Sequence, residues 1–175
     1  MQAHIFHLLC LRLGGKYKHF HLRLVQNMKL IQTKLFGEIG VDPEKLIVFE
    51  EGIIGFDFLK QFLLITDEEN SESSISWLQS VDEPNFAMPV MDPLLIDEGY
   101  NPVVEDELLK TLGDFQDENL LVMVTVSVPS QLENMTANMK APMIINGVNR
   151  RACQIIIDND EYQVKYPIYE IFKEK

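Results

Sequence analysis

Histidine is missing from the chain beyond residue 21. That absence removes the commonest general base from everything that follows. Cysteine is scarce: Cys10 and Cys153 are the two in 175 residues. Two are too few for a disulfide framework, and they suit a reducing cytosol. No apolar run approaches the roughly 18–20 residues a membrane span needs. Neither GxxxxGKS/T nor GxGxxG occurs, and no segment has the glycine and terminal glutamate of an EF-hand loop. Phosphate-cradling and calcium-binding motifs are therefore absent.

Acid is missing too, but only from residues 1–27. That stretch holds Arg12, Lys16, Lys18 and Arg23, no Asp or Glu, and all four histidines, His4, His7, His19 and His21. Taking its four basic residues from the chain's 15 Lys+Arg leaves 11 against all 27 Asp+Glu, a formal charge of −16 for the rest. A break this sharp marks a separate segment. A signal peptide fits poorly, because His7 and Arg12 cut the apolar stretch and no small-residue cleavage site follows. A basic tail for RNA or membrane is a second reading. The composition favours a third: residues 1–27 are an N-terminal extension, from a non-native start or disordered, and the domain runs over 28–175.

What remains is rich enough to fold. Apolar residues make up 46% of the chain, which suits one domain with a real core. Most of the pattern is strand. LIQTKLF from Leu30 alternates weakly, Asp42-Pro43 marks a turn, and residues 46–49 form a short apolar run. Gly52 and Gly55 around Ile53 and Ile54 predict a turn or bulge with close backbone approach. Residues 61–66 read as a strand ended by the acidic loop 67–73.

In 75–80, Ile75, Trp77 and Gln79 share one face, with Trp77 expected in the core as a large aromatic anchor. In 86–91, Phe86, Met88 and Val90 alternate against Ala87 and Met91. Pro84, Pro89 and Pro93 imply edges, bulges or short strands, since proline cannot donate to a ladder. The spacing predicts a helix over 105–112, acidic at its start, with Leu108, Leu109 and Leu112 as its apolar stripe and Gly113 as its stop. Residues 120–128 are the strongest strand. Residues 152–157 and 162–166 flank Asn159-Asp160 and predict a hairpin. Many short strands, little helix and no βαβ rhythm point to an all-β fold, a compact antiparallel barrel-like single domain with one or two short helices.

No catalytic constellation or metal-ligand cluster stands out, and no cofactor is expected. Cys153 lies in an apolar strand and reads as a buried structural thiol. The acidic charge opposes nucleic-acid binding and favours a basic protein partner. Methionine clusters near the proline-containing β regions. Met123 and Met143 read as core, whereas Met135 and Met139, in a polar connection, read as adaptable contact residues.

Several segments together resemble the FliW family of bacterial flagellar assembly factors: IVFEEGIIGF at 47–56, FLLI at 62–65 and SWLQSVDEPNFAMPVMDP at 76–93. They continue with VTVSVP from Val124, MTANMKAPMIIN from Met135, RRACQIII from Arg150 and YPI from Tyr166. In order they span nearly all of 28–170. The resemblance implies a β-barrel-like protein without enzymatic activity, which binds flagellin in the cytoplasm. It also implies binding to the RNA-binding regulator CsrA, relieving its repression of flagellin translation. No direct contact with nucleic acid or membrane is implied. The family supplies no catalytic signature. The candidate partner-binding residues are the exposed polar or Met positions of two loops: Asp82, Glu83, Asn85 and Phe86, then Met135, Thr136, Asn138, Met139 and Lys140. Two alternatives remain: a carboxylate-based enzyme, marked by a metal or polar cleft, and a small-ligand barrel, marked by a closed apolar cavity.

Overall fold

The structure is a computed structural model that describes residues 29–66 and 74–173. The 1–27 segment with its histidines and the acidic loop 67–73 lie outside the described residues.

Strands β1 (Lys29–Thr33) and β2 (Gly37–Val41) form an antiparallel hairpin with Ile31 opposite Ile39. The weak alternation after Leu30 marked β1; β2, with two glycines in five residues, gave no strand signal. Gly37, at φ +67, closes the turn, and the Thr33 hydroxyl donates to its carbonyl at 2.9 Å.

The body of the protein is a barrel. Its strands are β3 (Ile47–Phe49), β4 (Gln61–Ile65), β5 (Ser76–Ser80), β6 (Ala87–Met91), β7 (Leu120–Ser127), β9 (Met143–Asn146) and β10 (Arg151–Gln154). Neighbours run β7-β6-β5-β4-β3-β10-β9, and β9 pairs back onto β7 to close the ring. Closure removes the open edges of a sheet. All these pairings are antiparallel except β3 with β10. Every barrel strand sends a side chain inward: Phe49, Phe62, Leu78, Val90, Met123, Met143 and Ala152 share one buried cluster. Alternation along a strand makes this possible, since every second residue faces the lumen.

Smaller layers cover the outside. Ile31 and Val41 of the hairpin pack on Leu63 and Val81. Strand β8 (Thr136–Ala137) extends the β7 edge and carries β11 (Tyr166–Pro167). Here Met91, Val124, Val126 and Ile168 build a second cluster. The short helix α1 (Tyr169–Lys173) follows.

Four expectations are corrected. Residues 152–157 and 162–166 do not form a hairpin: β10 pairs with β9 and β3, while β11 pairs with β8. Asn159 does make a turn, its Oδ1 accepting from Glu161 N at 2.9 Å, but the chain after it crosses to another sheet. The helix at Asp106–Leu112 is 3₁₀. With three residues per turn, Leu109 and Leu112 eclipse and bury together, and Leu108 is left exposed. Trp77 is only half-buried; Leu78 takes the lumen position, and Trp77 faces outward onto Phe36, ring centroids 6.1 Å apart. Finally, β6 lies inside the barrel, between β5 and β7. Pro89 is accommodated because the β6–β7 ladder starts only at Val90 opposite Thr125.

Candidate protein-binding site

The loop after β3 is bent by two glycines. Gly52 (φ +76) and Gly55 (φ +84) adopt backbone that other residues resist, and a Cβ on Gly52 would strike the backbone of Asp57. Between them, Ile53 and Phe56 bond each other, Phe56 N donating to Ile53 O at 2.8 Å. Ile53 goes into the core, while Ile54, Phe56 and Phe58 are pushed to the surface.

Ile53, Ile54 and Phe56 form one bank of an open groove of about 610 Å³ at the barrel mouth. Met88, Met143 and Ala141 supply apolar walls, and Ile156 and Val164 stand on the far side. The rim is notably exposed for apolar side chains: Ile54 51%, Phe56 39%, Ile156 62% and Val164 57%. Contiguous exposed apolar surface of this kind marks a contact site for another molecule. Gln154 crosses the groove floor, its Oε1 accepting from Ile54 N at 2.9 Å and its Nε2 donating to Ala141 O at 3.2 Å.

The nine sequence candidates scatter around this groove. Asn138 and Lys140 line it. Phe86 backs it, its ring 4.8 Å from that of Phe56. Asn138 Oδ1 also holds the turn into β9 by accepting from Ala141 N at 3.1 Å. Lys140 Nζ pairs with Asp160 at 3.2 Å. Asp82, Glu83 and Asn85 sit exposed in the β5–β6 turn, outside the groove lining. Thr136 is half-buried in β8, opposite Pro167.

Met135 and Met139 were expected at the surface and are not there: they are 6% and 2% exposed, inside the second cluster. The connection that carries them is strapped down. Ile168 N donates to Met135 O at 3.1 Å, and the Tyr100 hydroxyl donates to Met139 O at 2.9 Å. Burial raises the Tyr100 pKa, with Tyr162 beside it adding to the rise, so this hydroxyl remains a donor. Sequence reasoning missed Ile54, Phe56, Ile156 and Val164. Their signal was the IVFEEGIIGF run: an apolar stretch bent by two glycines cannot point every side chain inward.

Asp82 turns out to have a structural task. Its Oδ2 accepts from Lys60 N at 2.7 Å and from Gln61 N at 2.8 Å, fixing the start of β4. Asp82→Asn is expected to cost about 1–2 kcal/mol by weakening two charge-assisted bonds. Urea unfolding of the two proteins measures this. An unchanged midpoint would contradict the assigned role.

Beside the groove, across Gln154 and Ile156, lies a second hollow of about 430 Å³, lined by Glu51, Glu107, Leu108, Cys153 and others. Burial pushes the Cys153 thiol up to about 11, with the charge of Glu51 adding to the rise. It is protonated at neutral pH and a poor nucleophile. Among the described residues, no group of three or more His, Cys, Asp and Glu is placed to hold a metal. Nor is any described helix long and apolar enough to cross a membrane.

The fold and site define a small closed β-barrel whose lumen is filled and whose mouth carries an apolar groove. Comparison with known proteins specifies which kind. The family model "FliW protein" matches residues 29–168. Flagellar assembly factor FliW of Lachnospira eligens is 51% identical over 147 residues, 83% of this chain and 97% of its own length. That of Lachnoclostridium phytofermentans is 46% identical over 147 residues, covering 83% and 94%. A crystal structure of the flagellar assembly factor FliW superposes with a TM-score of 0.73 at 29% identity, over 80% of this chain and 96% of that one. The chain belongs to the FliW family.

Proposed function

We propose that this protein is a non-enzymatic, cytoplasmic flagellar assembly factor that binds flagellin and, alternately, the regulator CsrA. Flagellin held in the cytoplasm occupies it; once flagellin is exported, the freed protein binds CsrA and relieves repression of flagellin synthesis. The observation that carries this reading is the apolar groove between Phe56 and Ile156. A binding role needs such a surface, and here Ile54, Phe56, Ile156 and Val164 are exposed together around one groove. Flagellin is assigned to the groove, since burial of apolar side chains holds a partner without requiring charge complementarity. The small-ligand reading has less support, because Phe49, Phe62 and their neighbours fill the lumen.

CsrA is assigned to the acidic surface. Opposite charge speeds encounter, and salt screens it over about 8–10 Å near physiological ionic strength. The association rate with CsrA is therefore expected to fall as salt rises, and to fall again on Glu83→Lys. Stopped-flow kinetics at several salt concentrations tests this. A salt-independent rate together with no effect of Glu83→Lys would reject steering through the β5–β6 turn.

Residues 1–27 are proposed to be dispensable, in line with their composition and with a family match that starts at residue 29. A chain starting at Met28 is expected to melt at the same temperature and bind both partners equally well. Loss of folding or of binding in that truncation would contradict the domain boundary.

A further inference from the structure

We propose that residues 154–158 form an open strand edge that captures an extended peptide segment in which apolar and basic side chains alternate.

The backbone beyond β10 remains regular after its ladder partner on one side has gone. Ile155 N donates to Pro142 O at 3.2 Å and Ile157 N to Lys140 O at 2.9 Å. Burial alternates with this: Ile155 and Ile157 are buried, Ile156 and Asp158 exposed. In an extended chain successive residues direct their N–H and C=O to opposite sides. Gln154 and Ile156 therefore face away from the 140–142 segment, toward the side occupied by β3. But of β10 and its continuation, β3 pairs only with Arg151 and Ala152. The chain leaves at Phe49, where Gly52 N turns back onto Phe49 O at 3.0 Å. Past that point the gap is bridged by the Gln154 side chain reaching Ile54 N. Among the described residues, no hydrogen bond reaches the backbone of Ile156. An unpaired edge like this is a template for another strand.

The two hollows fit such a strand. The 610 Å³ groove and the 430 Å³ hollow share Ile54, Gln154 and Ile156, so they meet along this edge. An added strand would send alternate side chains to opposite faces. One set would enter the apolar groove against Phe56, Met88 and Val164. The other would lie beside Glu51 and Glu107. Glu107 is already paired with Lys110, whereas Glu51 has no ion-pair partner among the described residues. A Lys or Arg at that position completes the charge. The same edge disfavours a helix, whose backbone groups are internally bonded. This recognition mode goes beyond the partner assignment above, and its failure would leave that assignment standing.

The test uses the full chain and the pentapeptide acetyl-Lys-Val-Lys-Val-Lys-amide, followed by NMR titration and amide exchange. A second peptide of identical side chains carries N-methyl groups on both valine nitrogens, which removes two edge donors and leaves its charge intact. The expected result is binding of the first peptide, at least ten-fold weaker binding of the second, and slower exchange at the Ile156 amide. Glu51→Lys is expected to weaken the first peptide by at least three-fold. Ile156→Pro is expected to weaken it as much as N-methylation does. If that variant fails to fold, the methylated peptide still decides the matter. Equal affinity for the two peptides, or an Ile156 amide that exchanges at its free rate, would overturn the proposal. So would protection of Ile156 by self-association without peptide, which would make the edge a contact between two copies of this chain.

Discussion

Phe62→Ala lowers the stability of the domain by about 3–5 kcal/mol, the usual cost of emptying a buried aromatic site. Phe62 is fully buried in the lumen, its ring edge-on to Phe49 with centroids 5.5 Å apart. It sits on β4, which pairs with both β3 and β5, so a collapse there strains three strands. Domains of this size have only about 5–15 kcal/mol in total. The loss therefore removes a large part of the reserve and appears as a marked drop in the urea midpoint. Trp77→Ala is expected to cost less, although tryptophan is larger, because its ring lies outside the lumen cluster and rests on Phe36 on the outer face. If Trp77→Ala destabilised more than Phe62→Ala, the assignment of strand faces in β4 and β5 would be wrong.

The face error at Trp77 shows where sequence periodicity stops being informative. Ile75, Trp77 and Gln79 alternate correctly against Leu78, so the strand itself is legible. Which face meets the lumen is not, because the β1–β2 hairpin covers the outer face and makes it partly apolar as well. Burial on both sides cancels the usual hydrophobic contrast. The missed strand β2 has a related cause, since GEIGV has too few side chains to show alternation. At residues 152–166 both chain segments look like strands and the turn between them exists. Their partners, however, are set by β9, β3 and β8, which local sequence does not encode. The turn glycines Gly52 and Gly55 and the helix stop at Gly113 were legible because they act locally.

The candidate site was read only in part, for the same reason. Asn138 and Lys140 were chosen as loop residues and do line the groove, while Phe86 backs it through Phe56. Met135 and Met139 were chosen because their flanks are polar, yet Tyr100 and Ile168 hold that connection onto the second core. Contacts from 30 or so residues away in sequence decide such burial. The resemblance to FliW pointed to segments that border the groove without saying which of their side chains remain outside.

Phe56→Ala is expected to weaken flagellin binding by about 2 kcal/mol, roughly 30-fold, as truncation of a central aromatic anchor does. Phe56 stands at the centre of the groove bank, backed by Phe86 and flanked by Phe58 at 6.2 Å. Val164→Asp is expected to act in the same direction from the opposite side, by placing a charge where an apolar partner must pack. Neither change should lower the thermal midpoint as far as Phe62→Ala does, because both side chains are substantially exposed. Isothermal titration with purified flagellin measures the effect. Unchanged affinity in both variants would remove the groove from the flagellin interface.

The central claim, a single small barrel that exchanges flagellin for CsrA, is tested most directly by a competition experiment. The purified chain is loaded with labelled CsrA, and flagellin is titrated in while the size of the labelled species is followed. The account predicts a complex with CsrA at the outset and its progressive loss as flagellin is added. A chain that binds neither protein, or that holds both at once with CsrA undisplaced, would contradict it.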